Sequence, residues 1–302
     1  MTTKLTEQPK GLKTGLLGIP YRLPHYPIEF DNDQSLAPDL HRQNAHDRAW
    51  HEPRTIKHFD WDLGGDLLNG SNIRVVDYGN VTLDIRNLRE HYNRAEKDVK
   101  KIFESAKTLV TIGRDHGIPI SIFKRLPKKQ KVTLVQIDAH LDCRDEINGE
   151  REGYSSGIRR ASEMHHIGEI FQIGLRGVGS GRNEAFEAAK EYGAHLISVY
   201  EIHEFGIKRI LNRIPEGPIY LTIDADGLDH TIMPAVNAPT PGGLNGLRIR
   251  DIIHAVVKKD RVLGMGLVEI SPSFEGSRIT LIHAERLICN FIGAAVRQGY
   301  YS

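Results

Sequence analysis

The feature that most constrains the fold of this chain is a series of short apolar runs rich in β-branched residues, each bounded by Gly, Pro or charged residues. Runs of this length with no polar alternation predict strands that are buried on both faces. The predicted strands are Gly15–Ile19, Ile73–Val76, Leu109–Ile112, Val132–Ile137, Phe171–Leu175, His195–Val199, Ile219–Ile223 and Val262–Val268.

Between several of these runs the apolar residues recur at helical spacing. Strands that alternate with helices form βαβ units, so we predict an α/β fold with a mainly parallel eight-stranded sheet covered on both faces. The whole chain, residues 1–302, is expected to form a single domain, with an irregular surface excursion over residues 20–60 that acts as a lid or a subunit contact. The predicted helices are Asn93–Lys107, Asn183–Tyr192, Leu247–Lys258 and Ile279–Val296.

The charge balance argues against several classes of partner. Lys plus Arg total 40 and Asp plus Glu total 39, which gives a formal net charge of +1 and no electrostatic case for nucleic acid or an anionic membrane.

No apolar run approaches the roughly 20 residues that span a bilayer, and the N-terminus lacks a signal-peptide pattern. Cys143 and Cys289 are the only cysteines. We therefore expect a cytoplasmic protein without a disulfide framework.

Acidic residues and histidines follow four of the predicted strands. Ligands of an open parallel sheet bind at the carboxyl ends of its strands, so these residues are the candidates for chemistry. Since residues i and i+2 of an extended segment point the same way, we expect the candidates after each strand to share one side. They are His116 after the third strand, Asp138, His140 and Asp142 after the fourth, Asp224 and Asp226 after the seventh, and Glu269 after the eighth.

Such closely packed carboxylates would repel one another unless cations lay between them. Two divalent metal ions about 3.5–4 Å apart would remove this conflict. Oxygen-rich ligation with two imidazoles suits Mn²⁺; nickel, iron or zinc would also be compatible with these ligand types. The predicted metal ligands are His116, Asp138, His140, Asp142, Asp224 and Asp226.

Two segments of this constellation resemble complete motifs of the ureohydrolase family of arginases and agmatinases. They are Asp138-Ala-His-Leu-Asp142 and Asp224-Ala-Asp226-Gly-Leu-Asp229. Asp115-His116 resembles a variant of a third motif, and Glu269 matches the acidic residue that holds the substrate guanidinium in that family. The resemblance implies a three-layer α/β/α sandwich, assembly as a homo-oligomer (trimer or hexamer), and two metal ions per subunit, Mn²⁺ or Ni²⁺.

The resemblance also implies a role for each residue. One metal would be held by His116, Asp138, Asp142 and Asp224, and the second by His140, Asp138, Asp224 and Asp226. The catalytic residues would be Asp142, Asp226 and Glu269, with Glu269 and either Asp226 or Asp229 stabilising charge and passing a proton to the leaving amine. The implied reaction is hydrolysis of a small guanidino compound (agmatine, a guanidinoalkanoate or guanidine) to urea and an amine.

The sequence departs from the family's pattern near the substrate. Ser156 stands where members often carry a histidine, and a hydroxyl cannot titrate near neutral pH as imidazole does. The loop from Met233 differs from the family's, which predicts an altered substrate pocket. Arg114 replaces a glycine and is interpreted either as a solvated surface charge or as a cation near the mouth of the site. The candidate substrate-binding residues are Glu269, Ser156, Asn237 and Arg159.

These departures from the family's pattern leave two other functions open. Arg114, Arg159 and Arg160 would suit the acidic substrate of a formiminoglutamate hydrolase, which releases formamide instead of urea. Ser156 is compatible with a catalytically silent subunit of a hetero-oligomer, although such a subunit has no need for metal ligands. His165 and His166 are expected to be ordinary histidines on a helix surface.

Overall fold

A sheet of eight parallel strands forms the centre of the computed structural model, which describes residues 13–21, 26, 33–48, 57–83, 87–179 and 181–301, without the side chains of residues 46–48. The strand order is β2-β1-β3-β8-β7-β4-β5-β6. The strands are β1 Lys13–Ile19, β2 Arg74–Asn80, β3 Thr108–Gly113, β4 Val132–Ile137, β5 Ile167–Leu175, β6 His195–Ser198, β7 Gly217–Asp224 and β8 Asp260–Val268.

Helices cover both faces of this sheet. The helices are α1 Ala37–Arg48, α2 Leu88–Ser105, α3 Pro119–Phe123, α4 Gly157–Ser162, α5 Asn183–Tyr192, α6 Val199–Phe205, α7 Ile207–Leu211, α8 Gly246–Val257 and α9 Ile279–Arg297. One buried apolar core joins the sheet to α1 and α6–α9, and a second core joins the opposite face to α2, α3 and α4. The predicted three-layer α/β/α arrangement is therefore confirmed.

All eight predicted strands are present, and the differences lie at their ends. β2 continues past the predicted end at Val76 to Asn80, because an edge strand can end in half-exposed polar residues that interrupt an apolar run. Val199, predicted as strand, begins α6, since the hydroxyl of Ser198 accepts a hydrogen bond from the backbone N–H of Glu201 at 3.2 Å and caps the helix. α2 begins before the predicted Asn93 because Asn87 caps it in the same way.

The prediction of an irregular excursion over residues 20–60 is wrong for part of that stretch, because Ala37–Arg48 form α1. The remainder of the stretch includes residues 22–25, 27–32 and 49–56, which lie outside the described residues. The apolar periodicity does not indicate α1, because two of its buried positions are polar, His41 and Asn44. The amide of Asn44 donates to Oε2 of Glu285 on α9 at 3.1 Å, so this helix is buried through a polar contact that no apolar periodicity can reveal.

By length and composition α9 could cross a membrane, although the sequence contains no uninterrupted apolar run of that length. However, 72% of its most apolar window is buried inside the fold, as in the central helix of a packed domain. Phe291 and Ile292 pack in the first core. The apolar character of α9 is therefore explained by its packing.

The order of the central strands decides where the functional residues meet. β3, β8, β7 and β4 are consecutive neighbours in the sheet although they are distant in the sequence. The ends of these four strands and the segments that follow them carry the candidate metal ligands and Glu269, and parallel strands bring their carboxyl ends to one edge. The topology therefore gathers the candidates at the middle of the sheet.

A close backbone approach in the central strand β8 generates a prediction about stability. A Cβ added at Gly264 would lie against the backbone carbonyl oxygen of Leu109 on β3, which cannot move without disturbing the sheet. We expect Gly264→Ala to lower the free energy of unfolding by about 1–3 kcal/mol, as overpacking does. Urea denaturation measures this, with Gly276→Ala as the matched control, because a Cβ at Gly276 meets open space. Equal stability of the two variants would contradict this reading of the sheet.

Candidate metal centre

His116, in the segment that follows β3, lies among three carboxylates. Its Nδ1 atom is 2.8 Å from Oδ2 of Asp138 and 3.1 Å from Oδ2 of Asp142. The same nitrogen is 3.2 Å from Oδ2 of Asp224 at the end of β7. All four side chains are buried. One nitrogen and three oxygens that converge in this way form a set of donors suited to one divalent cation.

A second group of donors surrounds His140. Its Nδ1 atom lies 3.1 Å from Oδ2 of Asp226 and 3.6 Å from Oδ1 of Asp138. Asp138 therefore contacts both histidines, one through each carboxylate oxygen. Two groups of three residues have ligand atoms close enough to hold one ion each. The first is His116, Asp138 and Asp224, and the second is Asp138, His140 and Asp226. Asp138 belongs to both groups.

The residues converge through turns rather than through strand alternation, so the expectation of extended i, i+2 geometry is wrong. β4 ends at Ile137, and Asp142 has a left-handed backbone with φ of 48°. Asp226 lies in a 3₁₀ turn, Ala225–Gly227, which the carboxylate of Asp224 caps by accepting from the Asp226 N–H at 2.8 Å. These local turns, not the pleat of a strand, direct the side chains toward one point.

Polar side chains inside the strands orient the candidate ligands. Gln136 on β4 donates its amide to Oδ2 of Asp138 at 2.6 Å, and Oγ1 of Thr222 on β7 lies 2.9 Å from Nε2 of His116. Partners of this kind fix the direction of a metal ligand. Sequence reasoning missed both, yet Gln136 precedes Asp138 by two residues and Thr222 precedes Asp224 by two. A polar residue in a buried apolar strand, on the same face as a candidate ligand, was the available signal.

Burial and mutual repulsion shift the proton affinities of the cluster. Burial, together with the neighbouring charge of Asp138, raises the pKa of Asp142 to about 7. Burial and the charges of Asp226 and Asp138 raise the pKa of Asp224 well above its ordinary value. Burial opposes protonation of His140, but its hydrogen bond to Asp226 prevails and raises its pKa to about 9. Burial likewise disfavours the charged His116, whereas hydrogen bonds to three carboxylates raise its pKa well above the usual range.

The composition of the cluster fits a pair of divalent metals. Asp138, Asp142, Asp224 and Asp226 place four carboxylates in a buried volume with two imidazoles. A buried carboxylate without a compensating charge is strongly disfavoured, which accounts for the raised pKa values of Asp142 and Asp224. Bound cations would remove this cost directly. The assignment of these six residues as ligands stays a prediction, and their arrangement supports it.

Glu269 lies at the border of the cluster, after β8. Oε1 of Glu269 accepts from the backbone N–H of His116 at 3.2 Å, and Oε2 accepts from the side-chain amide of Gln34 at 2.5 Å. The Glu269 backbone is left-handed, with φ of 66°, and its N–H donates to the carbonyl of Arg114 at 2.9 Å. A carboxylate is therefore fixed beside the candidate metal ligands.

Besides Glu269, the three other predicted substrate contacts occupy different environments. Ser156 is fully buried, and its hydroxyl has no hydrogen-bond partner within the part of the chain that the structure describes. Oδ1 of Asn237 accepts from Oγ of Ser271, two residues beyond Glu269, at 2.9 Å. Arg159 lies on α4, not on a loop, and pairs with Glu163 at 3.4 Å. Of the three, Asn237 is held beside the segment of Glu269.

The structure corrects the interpretation of other charged residues. Arg114 is fully buried, so the solvated-surface interpretation is wrong. Arg160 is also buried and pairs with Asp145 at 2.6 Å and Glu163 at 2.9 Å. The carboxylate of Asp229 accepts from Thr231, Gly242 and Gly243, which fits a residue that shapes the loop after β7.

His165 and His166 lie in a turn before β5, at the opposite edge of the sheet from the cluster. His165 is exposed, as expected. His166 is buried, contrary to expectation, and its Nε2 atom lies 2.8 Å from the carbonyl oxygen of Phe123. Neither is placed to supply the proton transfer that Ser156 lacks.

Arg176, at the end of β5, is a functional residue that the sequence does not indicate, because an arginine at a strand end is usually exposed. It is buried, and its Nη2 atom donates to the carbonyl oxygens of Asp226 at 2.6 Å and Thr240 at 2.5 Å. Its remaining nitrogens donate to further carbonyls of Gly174, Gly227 and Pro241. Arg176 therefore joins the backbone of a candidate ligand to the loop that follows it.

The match to a family model and to agmatinase relatives assigns the chain to the ureohydrolase class of metal-dependent hydrolases, which act on the C–N bonds of guanidino compounds. The chain belongs to the Arginase family, whose model matches residues 13–293.

Comparison with known proteins places the chain near the agmatinases within this family. The agmatinase of Bacillus subtilis (strain 168) is 30% identical over 220 residues, which cover 72% of this chain and 74% of the relative. The guanidinopropionase of Pseudomonas aeruginosa is 28% identical over 310 residues, which cover 96% and 90% of the two chains. The solved structure of proclavaminate amidino hydrolase from Streptomyces clavuligerus has the same fold, with a TM-score of 0.82 and 21% identity over 96% of this chain and 94% of that one.

The raised pKa values generate a prediction about metal binding and pH. Because the folded pKa values of Asp142 and His140, about 7 and about 9, exceed their ordinary values of 3.8 and 6.5, protons stabilise the metal-free fold at low pH. This stabilisation is lost as the pH rises through those values, whereas a bound metal displaces the protons. We therefore expect the increase in Tm on adding Mn²⁺ to grow from about pH 6 to about pH 8.

Differential scanning calorimetry measures this increase, and titration calorimetry in buffers of different ionisation enthalpy counts the released protons. An increase in Tm that is independent of pH, with no proton release, would contradict the assigned cluster.

The contacts of Arg176 generate a second prediction. Arg176→Ala removes the donors that hold the Asp226 carbonyl, and loss of a partner that orients a metal site lowers metal affinity by about 10- to 100-fold. Titration with Mn²⁺ measures this affinity. Arg182→Ala serves as the control, since Arg182 is exposed. Unchanged metal affinity in Arg176→Ala would show that the loop holds its shape without this residue.

Proposed function

We propose that this protein is a binuclear-metal amidinohydrolase that cleaves a small guanidino compound to urea and an amine. One observation carries this proposal: Glu269 is fixed next to the metal-ligand cluster, with Oε1 3.2 Å from the backbone nitrogen of His116. An anion in this position can hold a cationic guanidinium against the candidate metals. The family membership and the complete donor set support the same reaction.

The cluster residues divide into the two ligand sets implied by the resemblance. His116, Asp138, Asp142 and Asp224 would hold one ion. His140, Asp138, Asp224 and Asp226 would hold the other. When bound, the ions activate a water molecule as the nucleophile. The oxygen-rich donors with two imidazoles favour Mn²⁺, with Ni²⁺ as the second choice.

Glu269, Asp226 and Asp142 would perform the remaining chemistry. Glu269 binds the guanidinium nitrogens through charge-assisted hydrogen bonds and turns the central carbon toward the cluster. The leaving amine needs a proton, which a carboxylate within the site can pass on. Asp226 suits this role better than Asp229, whose carboxylate is occupied by Thr231, Gly242 and Gly243. Asp142 contributes a ligand oxygen and holds His116 in place.

The substrate's tail would contact the loop after β7 and the start of α4. This loop is held against the Glu269 segment by an antiparallel bridge between Val236 and Ile270, and by the Ser271 N–H, which donates to the carbonyl of Ala235 at 2.8 Å. Asn237, Ser156 and Arg159 are the proposed contacts. The proposed substrates are agmatine, a guanidinoalkanoate or guanidine.

The alternatives lose much of their support in the structure. Formamide release from formiminoglutamate was suggested by three arginines, but Arg114 is buried and Arg160 is paired with Asp145 and Glu163. A silent subunit has no chemical need for six convergent donors. We further propose that the enzyme is cytoplasmic, assembles as a trimer or hexamer of identical chains, and binds neither nucleic acid nor membrane.

The proposed reaction predicts urea release that depends on Asp138. Mn²⁺- or Ni²⁺-loaded protein is incubated with agmatine, guanidinobutyrate, guanidinopropionate, arginine and guanidine, and we expect urea from at least one of them. Asp138→Ala should lower kcat by at least about a thousandfold, since it removes the donor shared by both ions. Asp251→Ala, on the partly exposed surface of α8, should keep wild-type activity.

Three outcomes would contradict the proposal. They are no urea from any of these five compounds, formamide release when the same loaded protein is incubated with formiminoglutamate instead, and fewer than about one bound metal per chain after loading. Retained turnover in Asp138→Ala would refute the ligand assignment alone.

A further inference from the structure

A single turn of 3₁₀ helix, Asp33–Leu36, contacts the segment after β8 at two points, although more than two hundred residues separate them in the sequence. The carboxylate of Asp33 accepts from the backbone N–H of Ser273 at 2.5 Å. The side-chain amide of Gln34 donates to Oε2 of Glu269 at 2.5 Å. The turn is therefore fastened to the Glu269 segment through consecutive residues.

The hydrogen bond from Gln34 is one of three that fix the position of Glu269. Gln34 is 1% exposed, so water does not compete freely for its hydrogen bond. The other carboxylate oxygen accepts from the His116 backbone, and the Glu269 N–H is bonded to the Arg114 carbonyl. With a donor on each oxygen and the backbone held, the carboxylate keeps one orientation.

The chemistry of glutamine suits this position. Its amide donates a hydrogen bond but carries no charge, so it orients Glu269 without neutralising the carboxylate. A lysine or arginine here would neutralise the carboxylate and compete with a guanidinium. A glutamate would repel Glu269.

We propose that Gln34 is a positioning residue for the substrate: it holds Glu269 in the orientation that turns the guanidinium carbon toward the candidate metal ligands. This inference rests on the proposed function of Glu269. Since every guanidino substrate shares the group that Glu269 would bind, loss of Gln34 impairs all substrates alike. Changes at Asn237, beside the proposed tail site, would alter the ranking of substrates instead.

Three variants test the proposal in the metal-loaded protein. Gln34→Met keeps the size and removes the donor, and we expect kcat/KM to fall by about tenfold or more on every substrate that the wild type hydrolyses, with metal content unchanged. Gln34→Lys adds a competing ammonium, so we expect a larger rise in KM than Gln34→Met causes. Leu36→Gln changes an exposed residue of the same turn and should behave as the wild type.

Wild-type kcat/KM in Gln34→Met, or a loss that merely follows lost metal, would overturn the inference. The failure of the proposed function is distinguishable, because it is seen as absence of urea with the wild type itself. In that case crystal structures of the wild type and Gln34→Met test the contact directly. A displaced Glu269 carboxylate in the variant supports the positioning role, and an identical carboxylate position overturns it.

Discussion

The contact of one buried carboxylate, Asp138, with two histidines is the interaction on which the candidate site depends. Its two oxygens face His116 and His140 at 2.8 and 3.6 Å, so it joins two groups of donors into one centre. Burial alone would raise the pKa of Asp138, but its hydrogen bond to His116 keeps that pKa below the ordinary value. It therefore stays charged among carboxylates whose pKa values are raised. A buried anion of this kind needs compensation from every side, and the surrounding structure supplies it.

Hydrogen bonds from several elements orient Asp138 and the residues around it. Gln136 and Thr222 extend from the strands and fix Asp138 and His116. Arg176 fixes the backbone of Asp226 from β5, and Gln34 fixes Glu269 from the turn before α1. Each of these residues comes from a different element, yet each acts on one candidate ligand or on the carboxylate beside it. The parallel sheet provides the rigid frame that makes such contacts reproducible, since its central strands carry the ligands at one edge.

The strands and the residues at their ends could be predicted from the sequence, because apolar runs and strand-end carboxylates are local patterns. The meeting of the four strand ends could also be predicted, because parallel strands bring their carboxyl ends to one edge of the sheet. Other features depend on contacts between distant segments, which no local pattern records. The apolar periodicity missed α1 because His41 and Asn44 replace apolar residues on its buried side. The burial of Arg114 and the pairing of Arg160 with Asp145 were also beyond reach, since charged residues are usually exposed. The i, i+2 spacing predicted an extended backbone for the ligand segments, but local turns orient Asp142 and Asp226.

Anomalous diffraction from crystals of the Mn²⁺-loaded protein can show whether Asp138 joins two metal sites. We expect two manganese peaks in the cluster, one beside His116 and one beside His140, with a carboxylate oxygen of Asp138 coordinated to each. A single peak, or two peaks of which only one contacts Asp138, would contradict this expectation.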